Sequence, residues 1–395
     1  MGNRKLPPKF IYLLASFLCK CSKQNINFSK HVIPFLENTY YMKKSSILTA
    51  LLLLLIGTSS NAQENKSRQI DDIMSRYSAE GAPGASILVM QGEKIIFKKG
   101  YGVANISTKE KITPTTNFRL ASVTKQFTAT AILILEQQKK LSLEDPLTKY
   151  FSSFPDYGKK IKIKHLLTHS AGLVDYEDLI PPTQTTQVHD TNCLQLMYMV
   201  DSLYFPAGSK YKYSNTGYAI LALIVEKVTG KDFATYLKET IFKPLGMKTT
   251  LAFEAGKSIV TNRAIGHSYD DGSWAQTDQN TTSAVLGDGG IYSNVIDLSK
   301  WIKALMQFKL ITPAMQNRAW SRSVLDTGKP IDYGYGWHIE EFKNITHPFH
   351  GGSSIGFRNC LLLFPNQQLM VVILTNRNQH EPIEEAQKIA ALYLP

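Results

Sequence analysis

Few cysteines and the absence of a long apolar run set the first limits on this chain of 395 residues. None of its four cysteines lies with histidines at the spacing of a zinc site. His165 and His169 lack the glutamate of the zinc-protease motif, so we interpret them as structural. The longest nearly apolar stretch, Ile47–Ile56, is shorter than the ~20 residues that cross a bilayer. Internal repeats and low-complexity tracts are also absent from the sequence.

Charge is modest and unevenly placed. Charged residues make up 19% of the chain and the formal net charge is +12, but residues 1–62 hold most of the excess. The remainder forms no basic stripe with interleaved aromatic residues, so a nucleic-acid partner is not indicated. With 43% hydrophobic residues, the chain can bury one large or two smaller domains. Beyond residue 62 only Cys193 and Cys360 remain, and the sequence alone does not establish whether they pair.

Residues 42–62 have the three parts of a secretory signal peptide. Two lysines follow Met42, an apolar segment comes next, and small residues precede a cleavage site after Ala62. We therefore predict that Met42 is the true start, that residues 1–41 are an upstream extension, and that the mature protein is periplasmic or secreted. An uncleaved anchor is the alternative, but no stable membrane anchor is expected.

Both ends of the mature chain show helical and antiparallel strand patterns. The predicted elements are a helix over 68–79, hairpins over 85–99 and 357–375, helices over 219–228 and 233–242, and a closing helix over 382–393. We predict one α+β domain over 63–395, an antiparallel sheet flanked by helices. This α/β/α sandwich is built from about 63–130 and 285–395, and the mainly helical part over 131–284 is inserted between these two segments. The polar loop 174–189 is a candidate rim around a site.

A Ser-x-x-Lys motif, Ser122 to Lys125, precedes the apolar run 127–135. Positions i and i+3 share one face of a helix, so the hydroxyl and the ammonium lie close together near a helix N-terminus. This arrangement is typical of an activated serine nucleophile. A second copy, Ser209 to Lys212, follows a Pro-Ala-Gly turn and lacks the helix that would hold its side chains together.

The tripeptide Tyr213-Ser214-Asn215 precedes a predicted helix. A phenol near a lysine could accept the serine proton, and the amide of Asn215 could bond a substrate amide in both directions. A simple turn leading into a helix is the alternative. Local sequence does not distinguish this copy from Tyr292-Ser293-Asn294.

The third element is His350-Gly351-Gly352-Ser353, just before a predicted strand. Glycines allow a substrate backbone to approach a sheet edge, and the N–H groups of Ser353 and Ser122 could form an oxyanion hole. A glycine-rich turn with a surface histidine is the alternative. The overlapping Gly-x-Ser-x-Gly at 352–356 matches an α/β-hydrolase elbow, but that elbow requires a following helix.

Taken in order, Ser122-x-x-Lys125, Tyr213-x-Asn215 and His350-x-Gly352 resemble the three motifs of the class C β-lactamase and penicillin-binding D,D-peptidase family. The flanking segments that also resemble the family are 118–121, 163–173, 244–247 and 289–293. The resemblance implies that Ser122 is acylated and that Lys125 and Tyr213 transfer protons. It further implies that Asn215, His350, Gly352 and Ser353 bind substrate, with the amides of Ser122 and Ser353 as the oxyanion hole.

One departure concerns the third motif, where class C β-lactamases carry Lys-Thr-Gly. A histidine is mostly neutral at pH 7, so efficient β-lactam hydrolysis is not expected unless Arg358 replaces the charge. The resemblance implies a serine hydrolase without a metal or organic cofactor, acting on β-lactams or D-amino-acid-containing peptides. The alternatives are an esterase of the same family and a penicillin- or peptidoglycan-binding sensor without turnover.

Overall fold

The described part of the chain, residues 64–395 of a computed structural model, begins with a helix over residues 64–73. This helix agrees in kind with the predicted one, but it starts earlier and is followed by a 3-10 turn, Ser75–Tyr77. Gln69–Pro395 form one compact unit. The predicted signal peptide and upstream extension lie outside the described residues, so cleavage after Ala62 stays a prediction.

Thirteen strands occur in this part of the chain. They are β1 (Ala85–Gln91), β2 (Lys94–Tyr101), β3 (Phe118–Arg119), β4 (Leu251–Ala252), β5 (His267–Asp270), β6 (Ser273–Gln276), β7 (Ile291–Ser293), β8 (Ser323–Val324), β9 (Pro330–Ile331), β10 (His338–Phe342), β11 (Ile345–Ser354), β12 (Phe357–Phe364) and β13 (Leu369–Thr375).

The α-helices beyond residue 120 are α1 (Lys125–Gln137), α2 (Ile163–Leu167), α3 (Asp190–Met199), α4 (Asn215–Thr229), α5 (Phe233–Leu237), α6 (Leu286–Gly289), α7 (Val295–Met306), α8 (Pro313–Ala319) and α9 (Ile383–Ala391). Further 3-10 turns are Ala121–Thr124, Leu147–Lys149, Asp156–Lys159 and Tyr176–Leu179. The helix predicted over 233–242 is α5 continued by a π-helical turn, Lys238–Phe242.

Six strands from both ends of the described chain form the main antiparallel sheet, in the order β10-β11-β12-β13-β1-β2. The two predicted hairpins are confirmed as the pairs β1–β2 and β12–β13. β1 also pairs with β13 along its whole length, which joins the first and last parts of the fold at the centre of the sheet. The predicted α+β fold is therefore confirmed.

Side chains that alternate along the central strands explain why helices cover both faces of the sheet. In β13, Met370, Val372 and Leu374 belong to the larger core with α1 and α7. Val371 and Ile373 point to the other face and pack with α9. Because successive side chains of a strand point to opposite faces, a strand that is buried throughout must lie between two layers.

Two helices next to the motifs, α1 and α4, are buried on all sides over most of their length. Every residue from Lys125 to Leu135 in α1 is buried, which fits its almost continuous apolar sequence. α4 is buried from Thr216 to Val225. Rotation of a helix that is buried on every side would disrupt its packing contacts. The N-terminal ends of α1 and α4 are therefore held firmly where the candidate site lies.

The two competing motif copies have structural roles of their own. Tyr292 and Ser293 belong to β7, which pairs with β3 and β4, and Asn294 accepts the N–H of Asp297 at 2.9 Å to cap α7. Ser209 and Lys212 lie in the non-helical segment before α4. The interpretation of both copies as turns or structural segments agrees with these positions.

The structure also decides three further points. Residues 355–356 form the tight turn between β11 and β12, so no helix follows the Gly-x-Ser-x-Gly sequence and the elbow interpretation is excluded. Cys193 and Cys360 are both buried free thiols. Within residues 64–395, no helix combines the length and apolar character needed to cross a membrane.

Candidate active site

Ser122 lies in the 3-10 turn Ala121–Thr124, which leads directly into α1. Ala121 has a φ of 49°, in the left-handed region that residues with a Cβ seldom adopt. Backbone strain of this kind is concentrated at functional sites, where the surrounding packing enforces it. The turn places Ser122 on the wall of a cavity.

Lys125 is completely buried at the first position of α1. Its Nζ donates to Ser122 Oγ at 3.1 Å, to Asn215 Oδ1 at 2.8 Å and to the Asp288 carbonyl oxygen at 3.0 Å. It also lies 5.0 Å from the centre of the Tyr213 ring. An ammonium has three N–H donors and no acceptor, so this geometry fits a charged lysine that uses every hydrogen.

The second motif is anchored at the start of α4. Asn215 is the first residue of this helix, and its backbone N–H donates to Asp175 Oδ2 at 2.7 Å. Tyr213 is half-buried, and its ring stacks on His169 with 4.1 Å between the ring centres. Asn215 and Tyr213 thus lie on either side of Ser214 at the start of α4, and both are next to Lys125.

His350 in β11 is buried, with 1% of its surface exposed, and lies outside the cavity lining. Burial holds the pKa of His350 well below its usual value of 6.5, and the nearby His338 and Lys125 lower it further. A neutral ring explains its contacts: Nδ1 donates to Gly351 O at 2.6 Å and Nε2 accepts from Tyr333 OH at 3.0 Å. His350 therefore supplies no positive charge to the site.

Arg358 does not supply this charge either. Its guanidinium donates to the carbonyl oxygens of Ser354 and Phe357, the latter at 2.8 Å, and Nε lies 3.2 Å from Glu381 Oε1. Arg358 is absent from the residues that line the cavity. The expectation that it replaces a third-motif lysine is not supported by this position.

Gly352 packs directly on the backbone that precedes the nucleophile. A Cβ at this position would lie 2.2 Å from Leu120 O and 3.2 Å from a methyl of Val123. Its cross-strand partner Asn359 donates from Nδ2 to Arg119 O at 2.9 Å and to Leu120 O at 3.2 Å. β11 and β12 together therefore set the position of the turn that carries Ser122.

We expect Gly352→Ala to impair the site and the fold together. The added methyl group must displace the Leu120 carbonyl, and overpacking of this kind costs about 1–3 kcal/mol of stability. Thermal unfolding and steady-state turnover should both decline. Gly351→Ala is a matched control, because a Cβ at Gly351 would meet no atom closer than 3.7 Å. Equal behaviour of the two variants would contradict this account of Gly352.

Ser353 is placed to offer its backbone N–H toward the turn of Ser122. β10 pairs with β11 only up to Phe349, so this end of β11 has a free edge. Ser353 faces Arg358 across the hairpin, and the N–H of Arg358 donates to Thr375 Oγ1 at 3.3 Å, on the other side of β12. Because the N–H of Arg358 points away from β11, Ser353 and Arg358 form a non-hydrogen-bonded pair of the antiparallel ladder. The N–H of Ser353 therefore points away from β12, to the free edge of β11.

A cavity of about 230 Å³ opens beside Ser122. Its lining residues are Arg119, Ala121, Ser122, Tyr176, Glu177, Asn215, Asn280, Thr282, Asp288, Gly289, Ser353, Ser354 and Ile355. Three residues expected from the sequence, Ser122, Asn215 and Ser353, therefore share one cavity. Lys125 contacts three of its lining residues, Ser122, Asn215 and Asp288, whereas Tyr213, His350 and Gly352 do not line it.

Two carboxyl groups that sequence reasoning missed contribute to the wall. Burial raises the pKa of Asp288 to about 6, and Tyr176 OH donates to its Oδ2 at 2.8 Å. Burial, together with the nearby Asp288 and Asp175, raises the pKa of Glu177 to about 7, although this side chain keeps part of its surface open to solvent. Both groups can be anionic near neutral pH.

Arg119 is the only guanidinium among the cavity-lining residues. It is 4% exposed and donates from Nη1 to Ser283 O at 3.0 Å.

Weak signals for the two missed carboxyl groups were present in the sequence. Glu177 lies in the loop 174–189, which the sequence marks as a rim, and Asp288 lies in the glycine-rich stretch before the second Tyr-Ser-Asn. Nothing local indicated that the two would meet.

Comparison with known proteins agrees with this geometry. The family model described as Beta-lactamase matches residues 70–394. Penicillin-binding protein 4* of Bacillus subtilis is 29% identical over 341 residues, which cover 82% of this chain and 75% of that protein. Protein flp of Staphylococcus aureus is 29% identical over 328 residues, or 80% of this chain, but this match spans only 64% of its length.

Solved structures support the same relationship. The penicillin-binding protein from Bacillus halodurans superposes with a TM-score of 0.71 and 28% identity, covering 82% of this chain and 99% of that one. Since the family model spans nearly the whole described chain and the three motifs lie in the expected order, this chain belongs to the β-lactamase family.

Proposed function

We propose that this chain is an exported serine hydrolase that acts through an acyl-enzyme on Ser122. The observation that carries the proposal is the 3.1 Å contact between Ser122 Oγ and the buried Lys125 Nζ. Membership of the β-lactamase family supports the proposal, because a Ser-x-x-Lys pair is a recognised acyl-enzyme arrangement in such proteins. The pair is also accompanied by the other two motifs in the family's order, and its lysine is buried, which distinguishes it from an ordinary surface contact.

In the proposed acylation, Ser122 Oγ attacks the carbonyl carbon of an amide or ester. Its proton passes to Tyr213 or Lys125 and then to the leaving amine or alcohol as the carbon–heteroatom bond breaks. Lys125 and Tyr213 must each be without a proton to act as the base; we take Tyr213 as the acceptor, because the hydrogens of the Lys125 ammonium are already used to hold Ser122, Asn215 and the Asp288 carbonyl oxygen. The N–H groups of Ser122 and Ser353 would stabilise the oxyanion.

Hydrolysis of the acyl-enzyme reverses these roles. A water molecule attacks the ester carbonyl, its proton passes to the same acceptor, and Ser122 Oγ leaves as the alcohol. The amide of Asn215 lines the cavity, where its oxygen is bound by Lys125 and its nitrogen donates to Glu177; because the nitrogen carries two hydrogens, we propose that the second one contacts the acyl group.

The charges around the cavity bear on the substrate class. Glu177 and Asp288 contribute two carboxyl groups, whereas the third motif supplies a neutral histidine. Arg119 and Lys125 contribute two positive charges to the same site, but both side chains are buried, whereas Glu177 is exposed on the cavity wall, so a substrate ammonium would be attracted to the open side of the cavity. We propose a D-amino-acid-containing peptide or amide with a free amine, with slow β-lactam turnover. A small ester is the alternative.

The test is a panel of three substrates with the mature protein. An unprotected D-amino-acid anilide, a neutral p-nitrophenyl ester and benzylpenicillin distinguish the D-peptidase, esterase and β-lactamase branches by turnover rate. Stable labelling by benzylpenicillin without turnover of any substrate would favour a sensor. No reaction with any of the three would contradict the proposed hydrolase.

Glu177→Gln is expected to lower kcat/KM for the free-amine anilide by about 3- to 5-fold, because a partly solvated ion pair is worth at most about 1 kcal/mol beyond a neutral contact. The N-acetylated anilide, which lacks the positive charge, should change by less than about twofold. Asp178→Asn is the matched control, since Asp178 is also exposed but contacts Tyr204 at 2.7 Å rather than the cavity. An equal loss for both anilides would contradict charge recognition by Glu177.

The ratio of kcat/KM for the free-amine and N-acetylated anilides should depend on pH. The raised pKa values of Glu177, about 7, and Asp288, about 6, mean that both groups are protonated at pH 5 and become anionic as the pH rises. The ratio should therefore increase from pH 5 to a maximum near pH 7 and decline above it, because the α-amine of the substrate, with a usual pKa of about 7.7–8.0, then loses its charge. A ratio that falls between pH 5 and 7 would contradict the charge assignment, and Glu177→Gln should remove the upper part of the rise.

Export is proposed from the signal-peptide pattern. N-terminal sequencing of protein recovered outside the cytoplasm should begin at Gln63. A start well before Ala62 would overturn the cleavage site.

A further inference from the structure

His169 lies directly behind the ring of Tyr213. The two ring centres are 4.1 Å apart and the planes are inclined by 30°, which is a stacked arrangement. His169 is only 3% exposed, so the contact is part of the interior. The ring of His338 lies on Tyr213 as well, nearly parallel, at 6.0 Å. Tyr213 is therefore the half-buried member of a ring cluster, and His169 is a buried ring stacked directly on it.

A hydrogen bond ties His169 to the residue after Tyr213. Nδ1 of His169 is 3.2 Å from the amide nitrogen of Ser214 and 3.1 Å from its carbonyl oxygen. Either neutral tautomer can therefore bond to Ser214, by accepting at Nδ1 or by donating from it. Nε2 is buried and has no partner within the described residues. All the polar contacts of this ring thus go to the backbone beside Tyr213.

The backbone of His169 supports the same connection. Its φ is 53°, in the left-handed region, where histidine is tolerated better than most residues. The N–H of Lys212 donates to His169 O at 3.0 Å, and the N–H of Ser170 donates to His165 O at 2.9 Å. The segment after α2 is thereby joined to the segment that carries Tyr213, both through the main chain and through the imidazole.

The surroundings keep His169 neutral. Burial holds its pKa well below 6.5, and the positive charge of Lys125 and the neighbouring His350 and His338 lower it further. A ring with such a low pKa is a weak base, so it can stack on the phenol without taking its proton. His169 therefore has the geometry of a support rather than of an acid or base.

We propose that His169 is a positioning residue that holds the Tyr213 ring in the orientation needed for proton transfer with Ser122. This inference rests on the proposed acyl-enzyme function and on Tyr213 as the proton acceptor. It extends the sequence-based interpretation of His169 as merely structural. His165, four residues earlier, serves a different purpose, because its Nε2 lies 3.1 Å from Asp326 Oδ2 and it makes no contact with Tyr213.

Two substitutions separate the stacking contact from the backbone requirement. Asparagine accepts a left-handed φ readily but cannot stack, so His169→Asn removes the support while keeping the turn. Phenylalanine retains the stack but loses the bond to Ser214. We expect His169→Asn to lower kcat on the anilide about 10- to 100-fold with KM changed by less than about twofold, within the range that a mispositioned proton acceptor can lose. His169→Phe should retain more activity than His169→Asn.

The decisive measurement is a double-mutant cycle with Tyr213→Phe, which keeps the ring and removes the hydroxyl. If His169 acts through that hydroxyl, His169→Asn should cost less than about twofold in the Tyr213→Phe background. A merely structural role lowers activity by the same factor in both backgrounds, so equal losses would overturn the inference. A Tyr213→Phe enzyme with full activity would overturn it as well.

Two further results keep this inference separate from the proposed function. Turnover that survives in Ser122→Ala would contradict the acyl-enzyme itself, whereas Ser122-dependent turnover with equal His169→Asn losses would contradict only the positioning role. His165→Asn is the matched control for loss of a buried histidine. It should lower the melting temperature without lowering kcat, and a kcat loss equal to that of His169→Asn would also argue against a specific role for His169.

Discussion

Replacing Ser122 by alanine is expected to abolish covalent labelling by benzylpenicillin and to reduce turnover of any substrate by at least about 10⁴-fold, the scale seen when an enzyme loses its nucleophile. The reason is geometric, because Ser122 supplies the hydroxyl at 3.1 Å from Lys125 Nζ on the wall of the cavity. Intact mass measured over time, beside substrate turnover, checks both effects.

The time course of the unsubstituted protein carries further information. A drug-sized adduct that persists indicates a penicillin-binding peptidase, and rapid Ser122-dependent consumption of the drug indicates a β-lactamase despite the neutral His350. The matched control is Ser209→Ala in the second Ser-x-x-Lys copy. Ser209 Oγ donates to Pro206 O at 2.6 Å in a turn, so this variant should label and turn over normally. Reactivity that survives in Ser122→Ala would remove the site assignment.

Lys125→Met is expected to lower kcat by about 10³-fold, in the middle of the range for a group that assists proton transfer. Methionine fills a similar volume but removes the buried ammonium that contacts Ser122 Oγ. The melting temperature should change little. Loss of the hydrogen bonds to Asn215 Oδ1 and Asp288 O destabilises the fold, but removal of a completely buried charge has the opposite effect.

Kinetics and thermal unfolding of the same preparation test this prediction. Lys212→Met is the control, because Lys212 is exposed and its Nζ lies 4.4 Å from the centre of the Tyr204 ring, outside the cavity. A Lys125→Met enzyme that keeps kcat within tenfold of the original would show that the ammonium is not needed for the chemistry. A large drop in melting temperature would show that its main contribution is to the fold.

The main elements of the fold could be predicted because their patterns are local. The hairpins β1–β2 and β12–β13 appear as apolar runs around short polar turns, and the periodicity of α4 and α9 is visible in a single window. The π-helical continuation of α5 and the short strands β5 and β6 within the mainly helical middle were not predicted. Such short elements depend on tertiary pairing more than on residue propensity.

The candidate site likewise contains contacts that the sequence predicts and contacts that it does not. The contact between Ser122 and Lys125 follows from their spacing at the start of a helix. The position of His350 does not follow from its motif: the sequence suggested a substrate-facing group, and the structure places a neutral ring against Tyr333 OH at 3.0 Å. Glycine-rich motifs specify how closely a backbone can approach, but they do not specify the direction of the neighbouring side chain.

By itself, the sequence determined the kinds of elements, the order of three motifs and the one pair of reactive groups that lies within a single turn. Only the tertiary structure decided that Asp288 O and Asn215 complete the cradle of Lys125, that Glu177 joins the cavity wall, and that His169 supports Tyr213. The physical reason is the distance along the sequence over which residue spacing determines contacts. Spacing fixes neighbours within one turn or one strand, whereas contacts between distant segments arise from packing around buried helices such as α1 and α4.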